Sequence, residues 1–511
     1  MAELRPDYEQ APVPIGTPGG AHRRLRIALA LTVAGAFVVT VAIQAGWLLN
    51  TGSAGVGPSA GSEAVSGSGG PAGSPGPNSS APPASSSEVS LAPPRPPTSP
   101  GLIAVVDDNG ALSTMDDGGG SRVSYPAPGV VFGFPAWSSD GSRIAIVGES
   151  SRDSAIYVFT VQRDGPGSLA DGAKPVVIYR SADHVPFYLY WAPGDRAVAF
   201  LASEATDISL RIAPADGSAP LDGSGPGAII RQGQPLYYDW IDAERLLLHV
   251  GSGTDAFTGE VGLDGKPSSR VLQGTGVFRS PSASRDSRYL AYVRSKAADG
   301  SGQLVVAARG GSASHQMPVF GPVAFEFDPF GTTLASIAAT TPVDPTLGIP
   351  IGPLRLMNPA TGKIRTLLDG SVVAFWWSPD GKTIAALRVA QPGDDQVTAD
   401  LGLVLAGAVV PGPSAGGAVQ APGIAVRLTF VDVATGDAQP DRVVRLADHF
   451  VNQLLPYFDQ YALSHRLWSP DGASILLPLV DAAGRDQVVV VPADGSGPRP
   501  ITGGAKAFWS P

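Results

Sequence analysis

Side chains able to do chemistry are sparse in this chain of 511 residues, and their spacing excludes most familiar catalytic arrangements. None of the six histidines (His22, His184, His249, His315, His449 and His465) forms the i, i+4 pair with Glu that a zinc-hydrolase helix presents. A histidine cluster would need His184, His449 and His465 to converge from distant parts of the chain. Gly412-Pro413-Ser414-Ala415-Gly416 and Gly57-Pro58-Ser59-Ala60-Gly61 match the Gly-x-Ser-x-Gly pattern of a nucleophile elbow. With 64 glycines, about one match is expected by chance, and neither copy stands between a strand and a helix as the elbow requires. The acidic turns Asp107-Asp108-Asn109-Gly110 and Asp116-Asp117-Gly118 lack the distal Glu and the spacing of a calcium loop, so they are expected to shape turns. The absence of cysteine excludes disulfides, thiolate metal sites and a cysteine nucleophile. This reading assigns no catalytic residue, no metal ligand and no cofactor.

What the chain does concentrate is aromatic side chains mixed with polar ones. His184-Val185-Pro186-Phe187-Tyr188-Leu189-Tyr190 is one such segment and Tyr237-Tyr238-Asp239 another. The longest runs from Phe450 to Tyr461 and leads to His465-Arg466. Glu326 stands alone between two phenylalanines. From these segments the candidate ligand-binding residues are His184, Tyr188, Tyr237, Tyr238, Asp239, Glu326, Tyr457, Asp459, His465 and Arg466. The competing role for the aromatic members is packing in the interior.

Composition indicates what can position these residues. Apolar residues make up 43% and charged residues 16%, while 64 Gly and 49 Pro exceed a fifth of the chain. A compact helical protein tolerates few such helix breakers; strands joined by turns accommodate them. A net charge of −10 argues against nucleic acid as a partner, because phosphate contacts need a basic stripe.

The first hundred residues read as a tether. A tail at 1–26 precedes Ile27 to Leu49, a run of 23 residues without a charge. As a helix this run spans roughly 34 Å, enough for a hydrocarbon core of about 30 Å. Arg23, Arg24 and Arg26 before it, and Trp47 near its far end, predict a single-pass anchor with a cytoplasmic N-terminus and the rest extracytoplasmic. The alternative, a cleaved signal peptide with Ile43 and Ala45 before the cut, normally has an apolar core of about 7–15 residues. Residues 50–100 are almost entirely Gly, Ser, Ala and Pro. Such sequence cannot bury enough apolar area to offset chain entropy, and it is expected to be a disordered stalk.

The remainder repeats. An aromatic residue, two residues of Ser/Pro type, Asp-Gly and an alternating apolar run recur at Trp137 (with Asp140), Trp377 (with Asp380) and Trp468 (with Asp471). Degenerate copies begin at Trp191, Trp240, Ala283 (with Asp286) and Phe327, and Trp509 opens a copy at the end of the sequence. Successive spacings are 54, 49, 43, 44, 50, 91 and 41 residues. A period of ~40–50 with several short strands is the signature of a β-propeller blade. Pro presets φ, Asp caps the turn, Gly accepts a positive φ, and the aromatic wedges between blades. The long spacing contains a Gly/Ala/Pro-rich insertion near 391–423. Strands over 102–125 lack a leading motif and Lys506 to Pro511 is a motif without following strands, so joined they complete one blade. The expected fold is all-β: an eight-bladed propeller over 101–511, or alternatively a seven-bladed one, preceded by one transmembrane helix and a disordered linker.

The run Trp377-Ser378-Pro379-Asp380-Gly381-Lys382-Thr383-Ile384-Ala385-Ala386 resembles the repeat of TolB-like propellers, the WD40-like (PD40) type. The propeller domains of prolyl-oligopeptidase-like proteins carry it too. The resemblance covers about four-fifths of the chain. It implies the fold and little about function, because the shared residues build blades. No counterpart of TolB's α/β N-terminal domain is visible, so a role in the Tol–Pal system is not carried over. Nor is an α/β-hydrolase domain, so peptidase activity has no evident home. In such a ring the aromatic–polar segments lead into the innermost strands and collect on one face around the channel, where ligands dock. The functional expectation is a tethered, non-enzymatic scaffold or sensor binding an envelope protein, a peptide or a glycan. The alternative is a hydrolase or lyase of glycans or peptides using Asp239, Glu326, Asp459 and His465 in the channel.

Overall fold

A computed structural model of the protein describes residues 101–511, except 163–173, 222–228, 274–275, 296–300, 312, 342–348, 391–423, 482–483 and 505. The expected tail, membrane span and stalk (1–100), the insertion at 391–423 and both Gly-x-Ser-x-Gly runs lie outside the described residues. No described helix is long and apolar enough to cross a membrane.

Among the described residues helix is confined to 448–464, and the remainder is antiparallel sheet. Each motif starts a sheet for the same local reason. Ser138 Oγ donates to Asp140 at 2.7 Å, the Ser138 amide closes onto Arg143 O at 2.9 Å, and Gly141 takes φ +67°. Ser378–Asp380 (2.7 Å) and Ser469–Asp471 (2.6 Å) repeat this turn, as does Ser284–Asp286 (2.7 Å). The strand entering the turn and the strand leaving it then pair: Trp137 faces Ile144 and Trp377 faces Ile384.

Four sheets are separate and four-stranded. One comprises Val131–Trp137, Arg143–Glu149, Ser154–Thr160 and Val176–Ser181. The next two begin at Pro186–Trp191 and Leu236–Asp242. A thirteen-stranded sheet runs in chain order from Ser282–Ala283 to Arg499–Gly503. Two of its strands, Ser314–Phe327 and Ile364–Trp377, are 14 residues long and change partners midway. The first half of Ser314–Phe327 pairs with Gly302–Ala308, and its second half, after a register shift, with Leu334–Ala339. Each long strand is therefore the outer strand of one unit and the inner strand of the next.

The fourth four-stranded sheet joins the two ends of the described chain. Ile103–Val106 pairs with Leu112–Met115 on one side and with Lys506–Trp509 on the other, Ile103 opposite Trp509. Ser510 N donates to Leu102 O at 2.7 Å beyond the last pair. Neighbouring sheets touch in sequence order, and Ser474–Val480 packs against Lys506–Trp509, so the ring closes. This is a β-propeller arrangement, in which closure removes exposed sheet edges.

A series of indole hydrogen bonds fixes how units stack. Trp137 Nε1 donates to Phe508 O (3.1 Å), Trp191 to Ala136 O (2.9 Å) and Trp240 to Tyr190 O (3.4 Å). Trp377 donates to Glu326 O (3.4 Å) and Trp468 to Trp376 O (3.0 Å). The acceptor is each time the residue just before the aromatic of the preceding motif copy. The ends of the inner strands thus lie side by side on one face, the turn face; the strands start on the opposite, entry face.

Candidate functional site

The axis of the ring is where inner strands from all units converge, and it is filled from the entry face by the one helical segment. Helix Asp448–Gln453, the 3-10 turn Leu455–Tyr457 and helix Phe458–Ser464 precede the inner strand of the Trp468 unit. The all-β expectation placed no helix at 450–461; its apolar residues Phe450, Leu454, Leu455 and Phe458 are buried, and that burial turns it into a plug. Phe458 packs edge-on against Phe375 (5.5 Å) and Trp376 (5.7 Å). Tyr461 reaches Phe134 (5.3 Å) and Tyr188 (5.5 Å), each three residues before its motif tryptophan.

Tyr188 anchors the plug. Its hydroxyl meets Tyr237 Oη at 2.7 Å and donates to Gln460 O at 2.8 Å. Gln460 Nε2 in turn donates to Ser280 Oγ at 2.8 Å. Tyr188 has φ +48°, at a register shift between Phe187 and Leu189. That conformation is unfavourable for a bulky residue and persists because surrounding contacts over-determine it. Tyr237 and Tyr238 are buried, and Tyr238 Oη donates to Tyr188 O at 3.3 Å. These three tyrosines form one packed cluster in the interior.

The carboxylates lie beside it. Asp239, buried, accepts the Ala283 amide at 2.7 Å, and burial pushes its pKa up to about 7 against the pull of backbone amides and Arg285. Burial likewise raises Asp459 to about 7, opposed by the Gln460 amide and the Arg279 charge. Glu326 is raised well above the carboxylate range by burial, then by Asp459 and Asp239, and its Oε2 has no partner. Glu326 thus lies within the field of both other acids.

His465 is buried, with Nδ1 on Ser464 Oγ at 2.7 Å and its ring edge-on to Phe508 at 4.7 Å. Burial lowers its pKa to about 3. Burial raises Tyr457 to about 12. His184 stands apart from these groups, its Nδ1 on Glu204 (3.0 Å) and Ser203 O (3.1 Å). His449 lies against Phe134 at 5.8 Å. The acidic turns use their carboxylates on their own backbone: Asp107 Oδ1 accepts the amides of Asn109 and Ala111, and Asp116 Oδ1 those of Gly118 and Gly120.

Of the ten candidates, the structure gathers Tyr188, Tyr237, Tyr238, Asp239, Glu326, Asp459, His465 and Arg466 about the axis, carries Tyr457 half-buried in the 3-10 turn of the plug, and leaves His184 outside. Sequence reasoning missed Tyr190, Arg279 and Arg285. Arg279 bridges Phe278 O (2.7 Å) and Gly321 O (3.0 Å) beneath the plug. A signal for Arg285 did exist: it occupies the motif slot that holds Ser139, Pro193, Pro379 and Pro470 in other copies.

On the turn face the axis opens into a cavity of about 60 Å³, floored by Ser464 and Arg466 and walled by Trp137, Trp191, Tyr190 and Arg285. Arg466 is half-buried there; burial and then the neighbouring Arg285 charge lower its pKa to about 10.

No family model matches the chain, and no curated protein matches it. Among solved structures it is similar to TolB from Acinetobacter baumannii, at 13% identity and a TM-score of 0.34 over 80% of this chain and 67% of that one. It is also similar to a prolyl endopeptidase, at 11% identity and a TM-score of 0.47 over 74% of this chain, and spans 50% of that protein's length. A third similar structure is the dihydro-heme d1 dehydrogenase NirN, at 13% identity and a TM-score of 0.46 over 82% of this chain and 78% of that one. The chain is thus similar to TolB-like propellers, and its own strand order and ring closure carry the fold.

Proposed function

We propose that the protein is an extracytoplasmic, membrane-tethered propeller of eight blades that binds a partner on its turn face, as a scaffold or sensor. The count follows from eight motif positions (Trp137, Trp191, Trp240, Ala283, Phe327, Trp377, Trp468 and Trp509), with the two long strands shared between neighbouring blades. The tether rests on the apolar run 27–49 with its arginine flank and on the stalk 50–100. A coil of about 50 residues has an r.m.s. reach of roughly 40 Å, enough to search the nearby envelope.

The observation that carries the binding reading is the plug. It fills the axis from the entry face and encloses Asp239, Glu326 and Asp459, which leaves the turn face as the open end. The partner classes are those of the sequence reading: an envelope protein, a peptide or a glycan. The test is proximity labelling from the propeller in intact cells. Ala473→Arg and Lys382→Glu alter exposed turn-face residues, and Asn452→Arg alters an exposed plug residue. A discrete protein set lost in the turn-face variants and kept with Asn452→Arg is expected. A diffuse set unchanged by all three would overturn a protein scaffold.

One observation favours a channel hydrolase or lyase: buried Asp239 and Glu326 and half-buried Asp459 hold raised pKa values, with Glu326 in the field of the other two, a pattern that clusters at functional sites. That reading requires turnover of a glycan or peptide that Glu326→Gln abolishes.

A further inference from the structure

We propose that the turn-face cavity is a binding site for an oxyanion, a carboxylate or phosphate head group, held between Arg285 and Arg466. Both arginines line the cavity, with Pro511 at its margin, and no Asp or Glu side chain does. Neither forms an ion pair with any described residue, whereas Arg211, Arg180 and Arg309 are each paired, with Glu204 (2.8 Å), Asp153 (2.8 Å) and Glu260 (3.1 Å). Half-buried Arg466 is repelled by the exposed Arg285 beside it, and its burial strengthens that repulsion.

The carboxylates that act on the pair are engaged elsewhere: Asp239, which with Glu326 feels the Arg285 charge, is buried and accepts the Ala283 amide. Asp195 acts on Arg466 at a distance, but its carboxylate accepts the Ser139 amide (2.8 Å), Ser139 Oγ (2.6 Å) and the Asp140 amide (3.1 Å). Trp137, Trp191 and Trp509 complete the wall; the first two turn their Nε1 donors away to Phe508 O and Ala136 O, and Trp509, wholly buried, contributes its ring.

Size selects the ligand's chemistry. A space of about 60 Å³ is several times the ~10–15 Å³ that one water occupies on this measure, enough for a head group and too small for a whole ligand. Guanidinium forks match planar carboxylate and phosphate oxygens. The tryptophan and tyrosine walls then receive the apolar atoms next to the anion. The inference shares the turn face with the binding reading but needs no protein partner. Labelled partners lost with anion binding intact would sink the scaffold and leave this site standing.

Thermal unfolding of the purified full-length protein tests it, with phosphate and succinate titrated against chloride at matched ionic strength, followed by a peptide with a free C-terminal carboxylate against its amide. A ligand selective for the folded state raises Tm with the logarithm of its concentration. The expected result is an oxyanion-specific rise that Arg285→Gln weakens at least tenfold in apparent affinity and Arg466→Gln abolishes. A response to the acid peptide only marks a peptide carboxylate, and one to phosphate only marks a phosphoryl group; both support the site. Arg285 is exposed, so its variant decides the matter even where Arg466→Gln folds poorly. No rise beyond chloride, or the same rise in Arg285→Gln, would overturn the proposal.

Discussion

The indole of Trp468 donates to the carbonyl of Trp376 at 3.0 Å across 92 residues of sequence, while Trp509, its successor in the ring, has no acceptor. By the rule the other copies follow, Trp509 should reach Leu467 O, and that bond is not made. The repeat interaction is therefore interrupted at the interface that closes the ring.

This contrast predicts unequal costs for one chemical change. Trp468→Phe removes a made hydrogen bond as well as packing, and should destabilise by about 1–3 kcal/mol. Trp509→Phe deletes a donor that is already unsatisfied, so its cost should be smaller by about 1 kcal/mol. Denaturant unfolding of both variants measures the difference; equal losses would contradict the account.

Asp195 locks two adjacent turns together. In the degenerate copy Trp191-Ala192-Pro193-Gly194-Asp195 the last residue takes φ +58°, and its buried carboxylate accepts three donors from Ser139 and Asp140. Asp195→Ala strands those donors and should cost about 2–4 kcal/mol. Asp195→Asn, which tolerates the left-handed region and keeps one acceptor oxygen, should recover part of the loss. Indistinguishable stabilities for the two variants would be inconsistent with this latch.

The attachment of the plug can be weakened without emptying the core. Tyr188→Phe keeps the ring and removes the hydrogen bonds to Tyr237 and Gln460 O. Amide exchange across 448–464 should quicken by roughly five- to tenfold, equivalent to about 1–1.4 kcal/mol, with the sheets unaffected. Uniform protection throughout would show that the plug is held by other contacts.

Stability should depend on pH through the buried acids. Asp239 and Asp459, raised to about 7, keep protons that the unfolded chain loses near pH ~3.9. Their contribution is complete below that unfolded value and is lost as pH rises through about 7, at about 1.4 kcal/mol per pH unit for each proton held only by the folded state. His465, His449 and His249, lowered by burial to about 3, about 4 and about 4, act oppositely: their contribution is present above pH ~6.5 and falls as pH drops toward those values. The variant isolates one acid, because the histidines act equally in both proteins: as pH rises from about 4 to about 7, Tm of the wild type should fall relative to that of Asp459→Asn. The same profile in both proteins would contradict the assignment.

The blades were legible because each motif is a local device. Ser378, Pro379, Asp380 and Gly381 define their own turn, and the apolar run Ile384–Leu387 that follows is buried on both faces of its strand, between neighbouring sheets. The axis was less legible. Tyr188, Tyr237, Asp239 and Asp459 could be singled out by type, but their neighbours come from four separate segments and no local pattern encodes that meeting. The 450–461 segment misled for the same reason: its helices are set by the apolar residues that Phe375 and Trp376 receive, not by caps, since neither helix has a side-chain cap. Arg285 was visible as a departure from the Ser/Pro slot, yet its significance depends on Arg466, a residue 181 positions away in sequence that only the closed ring brings near.

The absence of native cysteine makes the central claim directly measurable. Ala473→Cys places one thiol on the turn face and Asn452→Cys one on the plug, both at exposed positions. Intact cells would be treated with a membrane-impermeant maleimide and, separately, with a thiol-anchored photo-cross-linker. The account predicts maleimide labelling without lysis and a discrete cross-linked product from Ala473→Cys that Asn452→Cys does not give. Labelling only after lysis, or the same unresolved product from both positions, would contradict an extracytoplasmic module that binds through its turn face.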